Sequence, residues 1–352
     1  MLRNLLLTVL LLLAGCAKSL PPDMLPAGIV KAYTDDGWTL PLRHYPGPGK
    51  PVVLVHGMGA NHYNWDYRPE VSLAAYLQQQ GWDVWVPELR GDPGAVAPYR
   101  RAAKEFSFDD HALYDLPPVI DAVRVATGAP KVYFVGHSMG GMLLYTALAR
   151  YPERIAAGVA VGSPADFDTL FGIHKKIRAM GWAVQGRGRI PAAFLAKLSA
   201  PLGRANPLYA RLGNKANLDF PIANGMAKRA LVDLPRPMVL EVTRWLKSSD
   251  LVTLDGRPWL DDVHSDVPLL VMGGAVDKVV PAADVKAACD RIPDCTYRLL
   301  GKAGGFSTDY GHIDPIVGRT ARDEVYPVIA GFLAKQAGDD VAALPGGSSA
   351  RP

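Results

Sequence analysis

The sequence G-H-S-M-G at residues 136–140 places the strongest constraint on how this 352-residue chain can fold. It follows an apolar run at 131–135, typical of a short buried strand, and precedes a stretch at 142–151 with helical spacing. A serine between glycines at a strand-to-helix junction occupies a tight turn that exposes its hydroxyl. We therefore predict that Ser138 is a nucleophile presented at the edge of a sheet.

The rest of the chain repeats this alternation of short apolar strands and helices. A turn signal at residues 35–37 predicts an initial antiparallel hairpin. A helix is predicted over 108–127, with a break or kink at Pro117 and Pro118. The pattern is typical of an α/β fold with a mostly parallel sheet covered by helices on both faces. Further strands are predicted at 51–56, 82–87, 157–161, 268–272 and 297–300.

Composition excludes several other classes of protein. The 38 basic and 34 acidic residues nearly balance, which argues against a nucleic-acid-binding protein. The hydrophobic content of 49% is enough for one large core, alone or with a subdomain. The sequence contains no H-E-x-x-H, paired C-x-x-C or phosphate-binding G-x-x-x-x-G-K-[ST] motif, so we predict neither a metal nor a cofactor.

The N-terminus has the pattern of a secretion signal. A basic residue, Arg3, precedes an apolar run at 5–13, which is too short to span about 30 Å of hydrocarbon but suits a signal-peptide core. It ends in L-A-G-C at 13–16, which looks like a bacterial lipobox. In lipoproteins with this motif the peptide is cut before the cysteine, which then carries several acyl chains. A plain secretory signal that contains Cys16 is the alternative.

From this motif we predict a signal peptide at 1–15, lipid attachment at Cys16 and a Pro-rich tether at 16–27. The predicted location is the bacterial cell envelope. Because Ala17 rather than aspartate follows the cysteine, the outer membrane, on its periplasmic side, is favoured.

Two further cysteines, Cys289 and Cys295, would lie in an oxidising compartment. The turn residue Pro293 lies between them. They are predicted to form a short-loop disulfide or to remain two unpaired structural thiols.

A serine hydroxyl needs a positioned base, and the base needs an orienting acid. On this fold the chain order is serine, acid, histidine. Asp277 follows the predicted strand 268–272, and His312 comes after a later strand and before the terminal helix. We predict Ser138, Asp277 and His312 as a catalytic triad.

Other histidines and acids fit these roles less well. His264 precedes the strand that leads to Asp277, which puts it at the wrong end of the sheet. His137 is adjacent to Ser138 in sequence, so its side chain is expected to project away from the hydroxyl oxygen. Asp314, close to the predicted base, is a candidate supporting residue.

The sequence H-G-M-G at 56–59 follows the predicted strand 51–56 and is a candidate oxyanion loop. The backbone N–H groups of Met58 and Met139 are predicted to face the same oxygen. A simple strand-end turn is the alternative interpretation of 56–59.

The strand–helix alternation lapses between 163 and 264, which we interpret as a mostly helical cap inserted into a core of 28–162 and 265–335. The first part of the cap is basic. Its cations either face anionic lipid headgroups or simply solvate the outer surface. Residues 336–352 are rich in Ala, Gly, Ser and Pro and are predicted to be a disordered tail.

Taken in order, these motifs resemble the α/β-hydrolase superfamily over about residues 28–335. A narrower set resembles the acid lipase family of gastric and lysosomal lipases. The matching segments are H-G-M at 56–58, N-W at 64–65, E-F-S-F-D at 105–109, Y-D-L-P at 114–117 and H-I-D at 312–314.

The resemblance implies hydrolysis of esters with hydrophobic acyl groups by the predicted triad and oxyanion donors. The chain departs from the family at Met139, where a glutamine is usual, and in the cap, which does not match. Esterase is therefore a firmer prediction than lipase. The alternatives are an acyltransferase that uses the same triad, and a non-catalytic envelope lipoprotein, which would lack a triad member. The predicted partners are an acyl ester and, through the N-terminal lipid, a membrane; the oligomeric state is not predicted.

Overall fold

A computed structural model describes residues 26, 28–168, 189–261 and 263–338. The predicted signal peptide and Cys16 lie outside these ranges. The last helix continues to Ala337, so the predicted tail begins at least two residues later than residue 336. The rest of that tail, from 339 onward, also lies outside the described residues.

An eight-stranded sheet forms the centre of the molecule, in the order β1-β2-β4-β3-β5-β6-β9-β10. β1 and β2 form the predicted antiparallel hairpin, and β2 also pairs with β4 in antiparallel fashion. The remaining neighbours are parallel. The predicted α/β fold with a mostly parallel sheet is confirmed. The strands are β1 Gly28–Tyr33, β2 Thr39–Tyr45, β3 Pro51–Val55, β4 Asp83–Pro87, β5 Val132–His137, β6 Ile155–Val161, β7 Arg189–Ile190, β8 Leu234–Pro235, β9 Leu269–Gly274 and β10 Cys295–Leu300.

The central strands are buried on both faces, which explains their continuous apolar sequences. Alternate residues enter different cores, because side chains of a strand point to opposite faces. Val53 and Phe134 join one core, whereas Val52 and Tyr133 join the other. The covering helices and the cap helices are α1 Tyr63–Asp66, α2 Leu73–Gln79, α3 Phe108–Asp110, α4 Leu116–Thr127, α5 Met139–Arg150, α6 Ala192–Ser199, α7 Pro207–Leu212, α8 Phe220–Arg229, α9 Arg236–Ser248, α10 Ala282–Lys286, α11 Asp314–Val317 and α12 Tyr326–Ala337.

The irregularity predicted at Pro117 and Pro118 takes the form of a π turn, His111–Asp115, between α3 and α4. Proline lacks an N–H, and its ring clashes with the carbonyl four residues earlier. A wider π turn accommodates this within a continuous helical segment. The same arrangement recurs at Ala321–Val325, just before Pro327 in α12.

The described residues between β6 and β9 add no strand to the large sheet and form α6–α9 with the small β7–β8 pair. A buried carboxylate attaches this cap to the core. Glu241 of α9 accepts hydrogen bonds from the backbone N–H groups of Phe108 and Asp109, at the start of α3. Burial raises the pKa of Glu241 to about 8. The Trp245 ring packs edge-on against Phe108, with centroids 5.2 Å apart.

Near the outer edge of the sheet, a disulfide joins Cys289 to Cys295, the first residue of β10. Within the described ranges, no helix has both the length and the apolar character needed to cross a bilayer.

Candidate active site

Ser138 stands between the end of β5 and the start of α5, in a backbone conformation that is rare for a residue with a side chain. Its φ is 53° and its ψ is −117°. Such strain costs about 1–3 kcal/mol and persists only where the surroundings fix the backbone. Here the Ser138 N–H donates to the carbonyl of Val161, at 2.8 Å, and its carbonyl accepts from Gly141 N–H, at 3.0 Å.

Two glycines are required by the close packing around this turn. A Cβ added to Gly140 would lie 2.0 Å from the carbonyl oxygen of Val55. A Cβ added to Gly136 would lie 2.3 Å from the backbone of Gly140. In each case the colliding atom belongs to the backbone of a core element. The G-x-S-x-G sequence is therefore needed for strand–helix contact as well as for the turn.

The three residues predicted as a triad lie in a hydrogen-bonded row. His312 Nε2 is 3.1 Å from Ser138 Oγ, and His312 Nδ1 is 2.8 Å from Asp277 Oδ2. The side chain of Asp277 is fully buried, and that of His312 is 7% exposed. This spacing lets Nδ1–H donate to the carboxylate while Nε2 accepts the serine proton.

The orientation of Asp277 is set by its own backbone surroundings. Its Oδ1 accepts hydrogen bonds from the N–H groups of Val279 and Val280, each at 2.8 Å. The other oxygen is left for His312. The loop after β9 therefore holds the carboxylate in position without help from a distant side chain.

The two predicted oxyanion donors, Met58 and Met139, are both close to Ser138. Met139 is the first residue of α5, where backbone N–H groups have no acceptor within the helix. Met58 lies on the loop after β3 and lines the same cavity as Ser138. The neighbouring Gly57 packs closely, since a Cβ there would lie 3.2 Å from Ser138 Cβ.

A buried pair lies behind this loop. His56 Nε2 is 2.8 Å from Asp92 Oδ2, and both side chains are almost inaccessible to solvent. Burial alone would lower the pKa of His56, but the charge of Asp92 raises it overall. The sequence did not predict this pair, because nothing local links 56 to 92.

His137, adjacent to Ser138 in sequence, makes a second connection through the site. Its Nε2 lies 3.0 Å from the carbonyl oxygen of His312, and its Nδ1 lies 3.1 Å from Asn64 Oδ1. The Gly57 N–H donates to the same Asn64 oxygen, at 3.2 Å. Burial, with the nearby His312, lowers the pKa of His137 to about 3. The neutral ring carries one N–H, so it donates to one of these two oxygens at a time, and it lies between the oxyanion loop and the base.

The cap holds the backbone of the base. The N–H groups of His312 and Ile313 both donate to the carbonyl of Leu212, at the end of α7, at 3.0 and 2.9 Å. Gly311 and Gly213 are in close contact, since a Cβ on Gly311 would lie 2.7 Å from Gly213 Cα. Sequence reasoning missed these contacts because residues 212 and 312 are a hundred positions apart.

Asp314 stabilises the loop that carries His312 through hydrogen bonds to its backbone. Its carboxylate is fully buried and accepts hydrogen bonds from the backbone N–H groups of Gly311 and Asn214, at 3.0 and 3.1 Å. Burial raises the pKa of Asp314 to about 6. It contacts the loop backbone and the cap, and no hydrogen bond joins its carboxylate to the His312 ring among the contacts described.

Several histidines outside the predicted triad pair with carboxylates of their own. His44 pairs with Asp83, His62 with Asp66, and His111 with Asp115. His174 lies outside the described residues. Within the described part of the chain, no group of three or more His, Cys, Asp or Glu side chains is arranged to hold a metal ion.

A cavity of about 140 Å³ opens beside Ser138 and His312. The core supplies more than half of the lining residues, among them Met58 and Ile316, and the cap supplies the rest. Among the residues that the structure describes, the lining side chains include no Asp, Glu, Lys or Arg. The nucleophile therefore faces an uncharged, mostly apolar space.

Comparison with known proteins places these features in a family. The α/β hydrolase fold family matches residues 50–312 of the chain. Gastric triacylglycerol lipase of Bos taurus is 33% identical over 356 residues, covering 88% of each chain. Lipase lipl-3 of Caenorhabditis elegans is 31% identical over 203 residues, half of each chain.

Solved structures agree on the fold. A thermophilic esterase from Thermogutta terrifontis superposes with a TM-score of 0.61 at 20% identity, covering 88% of this chain and all of the esterase. At this identity the likeness concerns the fold alone. With the family match over most of its length, the chain belongs to the α/β-hydrolase fold family and, within it, to the group that contains the gastric lipases.

Proposed function

We propose that this protein is a serine ester hydrolase that works through an acyl-serine intermediate. The observation that carries the proposal is the row formed by Ser138, His312 and Asp277, with 3.1 and 2.8 Å between the interacting atoms. The gastric lipases among its relatives support ester substrates.

In the first half of the reaction, His312 Nε2 takes the proton of the Ser138 hydroxyl as Oγ attacks the ester carbonyl carbon. The carbonyl oxygen becomes an oxyanion, which the N–H groups of Met58 and Met139 stabilise. The C–O bond to the alcohol then breaks, and His312 returns the proton to the leaving alkoxide. Asp277 stabilises the imidazolium that forms between these steps.

In the second half, water replaces the alcohol. His312 removes a proton from water, the hydroxyl adds to the acyl carbon, and the bond to Ser138 Oγ breaks as the serine regains its proton. The products are a carboxylic acid and free enzyme. Each donor acts on charge that exists only near the transition state, which is how such groups accelerate the reaction.

The test is hydrolysis of short p-nitrophenyl esters. Ser138→Ala is expected to lower kcat by about 10⁴-fold or more, because the nucleophile is removed. The exposed Ser307, outside the cavity lining, supplies a matched control, and Ser307→Ala should retain full activity. Turnover that survives Ser138→Ala would overturn the proposal. Product analysis with added alcohols separates hydrolysis from acyl transfer.

We also propose that the protein acts at a lipid surface to which Cys16 anchors it. Helix α6 and the turn after it support this, because large apolar side chains face solvent while a small one faces the protein. Leu198 is 66% exposed, whereas Ala196 is 2% exposed. Lys197 is exposed beside them and would complement anionic headgroups. The other exposed apolar residues of this segment are Phe194, Leu195 and Leu202.

Two measurements test this second proposal. Metabolic labelling with a fatty-acid analogue should label the full chain but not Cys16→Ser. A form lacking the anchor should sediment with anionic vesicles, and Leu198→Ser should bind them severalfold more weakly without losing activity on soluble esters. Equal sedimentation of the two forms would contradict a role for α6.

A further inference from the structure

One helix of the cap contributes a set of small side chains to the wall of the cavity beside Ser138. Ala223, Ala227 and Ala230 stand at positions i, i+4 and i+7 of α8 and of the residue that follows it, and all three line the cavity. This spacing places them on one face of a helix. The opposite side carries Lys228, which is exposed and does not line the cavity. The space beside the nucleophile therefore exists because this face carries methyl groups.

Hydrogen bonds fix this wall to the core. The Asn61 side-chain amide donates to the carbonyl of Arg229, at 2.9 Å, and Val232 N–H donates to the carbonyl of Gly59, at 2.9 Å. These bonds join the end of α8 to the loop that carries Met58. In α7, the carbonyl of Leu212 accepts the two hydrogen bonds from the N–H groups of His312 and Ile313. Both α7 and the end of α8 are thus joined to the core by hydrogen bonds.

The volume limits what can occupy the site. The cavity measures about 140 Å³, and the described part of the chain contributes no Asp, Glu, Lys or Arg to its lining. An apolar protein cavity of about 150 Å³ accepts benzene, a six-carbon molecule. An acyl chain of about four to six carbons therefore fills the space, whereas a long fatty acyl chain exceeds its volume.

We propose that this cavity is the acyl-binding site and that the alanine face of α8 restricts it to short, uncharged acyl groups. The proposal rests on the proposed ester hydrolysis and names its substrate class: esters of short-chain carboxylic acids. Ala223 and Ala227 set the depth of the site, and Met226 closes one part of it.

The test is kcat/KM for p-nitrophenyl esters from acetate to dodecanoate. The wild-type protein should prefer butanoate and hexanoate to dodecanoate by more than tenfold. Ala227→Leu adds three carbon atoms to the cavity wall and so reduces the space beside the nucleophile. It should retain acetate hydrolysis and lose more than tenfold on hexanoate, because each methylene in such a pocket is worth about tenfold or more.

Two further variants keep the test decisive if Ala227→Leu fails to fold. Met226→Ala should extend the preference toward octanoate, whereas Lys228→Leu, on the opposite side of α8, should leave the profile unchanged. A wild-type preference for dodecanoate would overturn the inference, as would profiles of Met226→Ala and Ala227→Leu that match the wild type. If Ser138→Ala were inactive in the same assays, those results would contradict the inference about acyl length but not the proposed ester hydrolysis. Loss of activity on every ester in the wild type would instead contradict the proposed function.

Discussion

The turn at Ser138 and the loop at His312 contribute to one site but are stabilised in different ways. The turn is held by residues close to it in sequence and by the strands on either side, with Gly140 against Val55. The loop is joined to the cap by the carbonyl of Leu212, and by its own buried Asp314 carboxylate, which accepts a hydrogen bond from Asn214 N–H of the cap. Ser138 is therefore positioned by the core, whereas the position of His312 also depends on the position of the cap.

The largest effect is expected from adding one methyl group to the turn. Gly140→Ala would place Cβ 2.0 Å from the carbonyl oxygen of Val55, which cannot move without displacing β3. We expect a loss of more than about 3 kcal/mol in unfolding free energy, at the upper end of overpacking effects, together with loss of activity. Chemical denaturation and ester hydrolysis measure the two.

Gly331 in α12 is the matched control, because nothing lies within 4 Å of a Cβ added there. Gly331→Ala should be neutral or stabilise the protein by about 0.5–1 kcal/mol, since alanine is the better helix former. If Gly140→Ala were as stable as Gly331→Ala, the close packing of the turn would be contradicted.

The loop that carries His312 and Asp314 should make the unfolding free energy of the protein depend on pH. The pKa of Asp314 is about 6 in the folded protein, above its ordinary value near 4, because of burial. The folded state therefore binds more protons than the unfolded state between pH 4 and 6, and stability falls as pH rises through this range. The shift corresponds to about 3 kcal/mol at most.

Asp314→Asn cannot ionise, so its unfolding free energy should fall less than that of the wild type between pH 4 and pH 6.5. Denaturant titrations at several pH values give the difference between the two curves. Parallel curves would show that Asp314 does not titrate as described.

A smaller effect is expected at His137, which connects the two regions. His137→Phe removes the donor to the carbonyl of His312, and the net value of a hydrogen bond of about 1–1.5 kcal/mol translates into about a tenfold lower kcat. His137→Gln keeps an amide donor and should recover part of the rate. Unchanged kcat in His137→Phe would rule out a positioning role for this ring.

The same contrast explains what the sequence could predict. The sheet, the turn at Ser138 and the order of Asp277 and His312 follow from local apolar runs and glycines, and they could be located directly. The support of His312 by Leu212 could not, because two segments a hundred residues apart meet only once the cap has folded. The alanine face of α8 was also beyond sequence analysis, since alanines at helical spacing usually indicate close packing rather than a cavity.

The most direct test of the central claim, that Ser138 is an activated nucleophile, is labelling with a fluorophosphonate followed by peptide mass spectrometry. We predict one adduct on the wild-type protein, on the peptide that contains Ser138, and none on Ser138→Ala. An adduct on a different serine, or equal labelling of Ser138→Ala, would contradict the account.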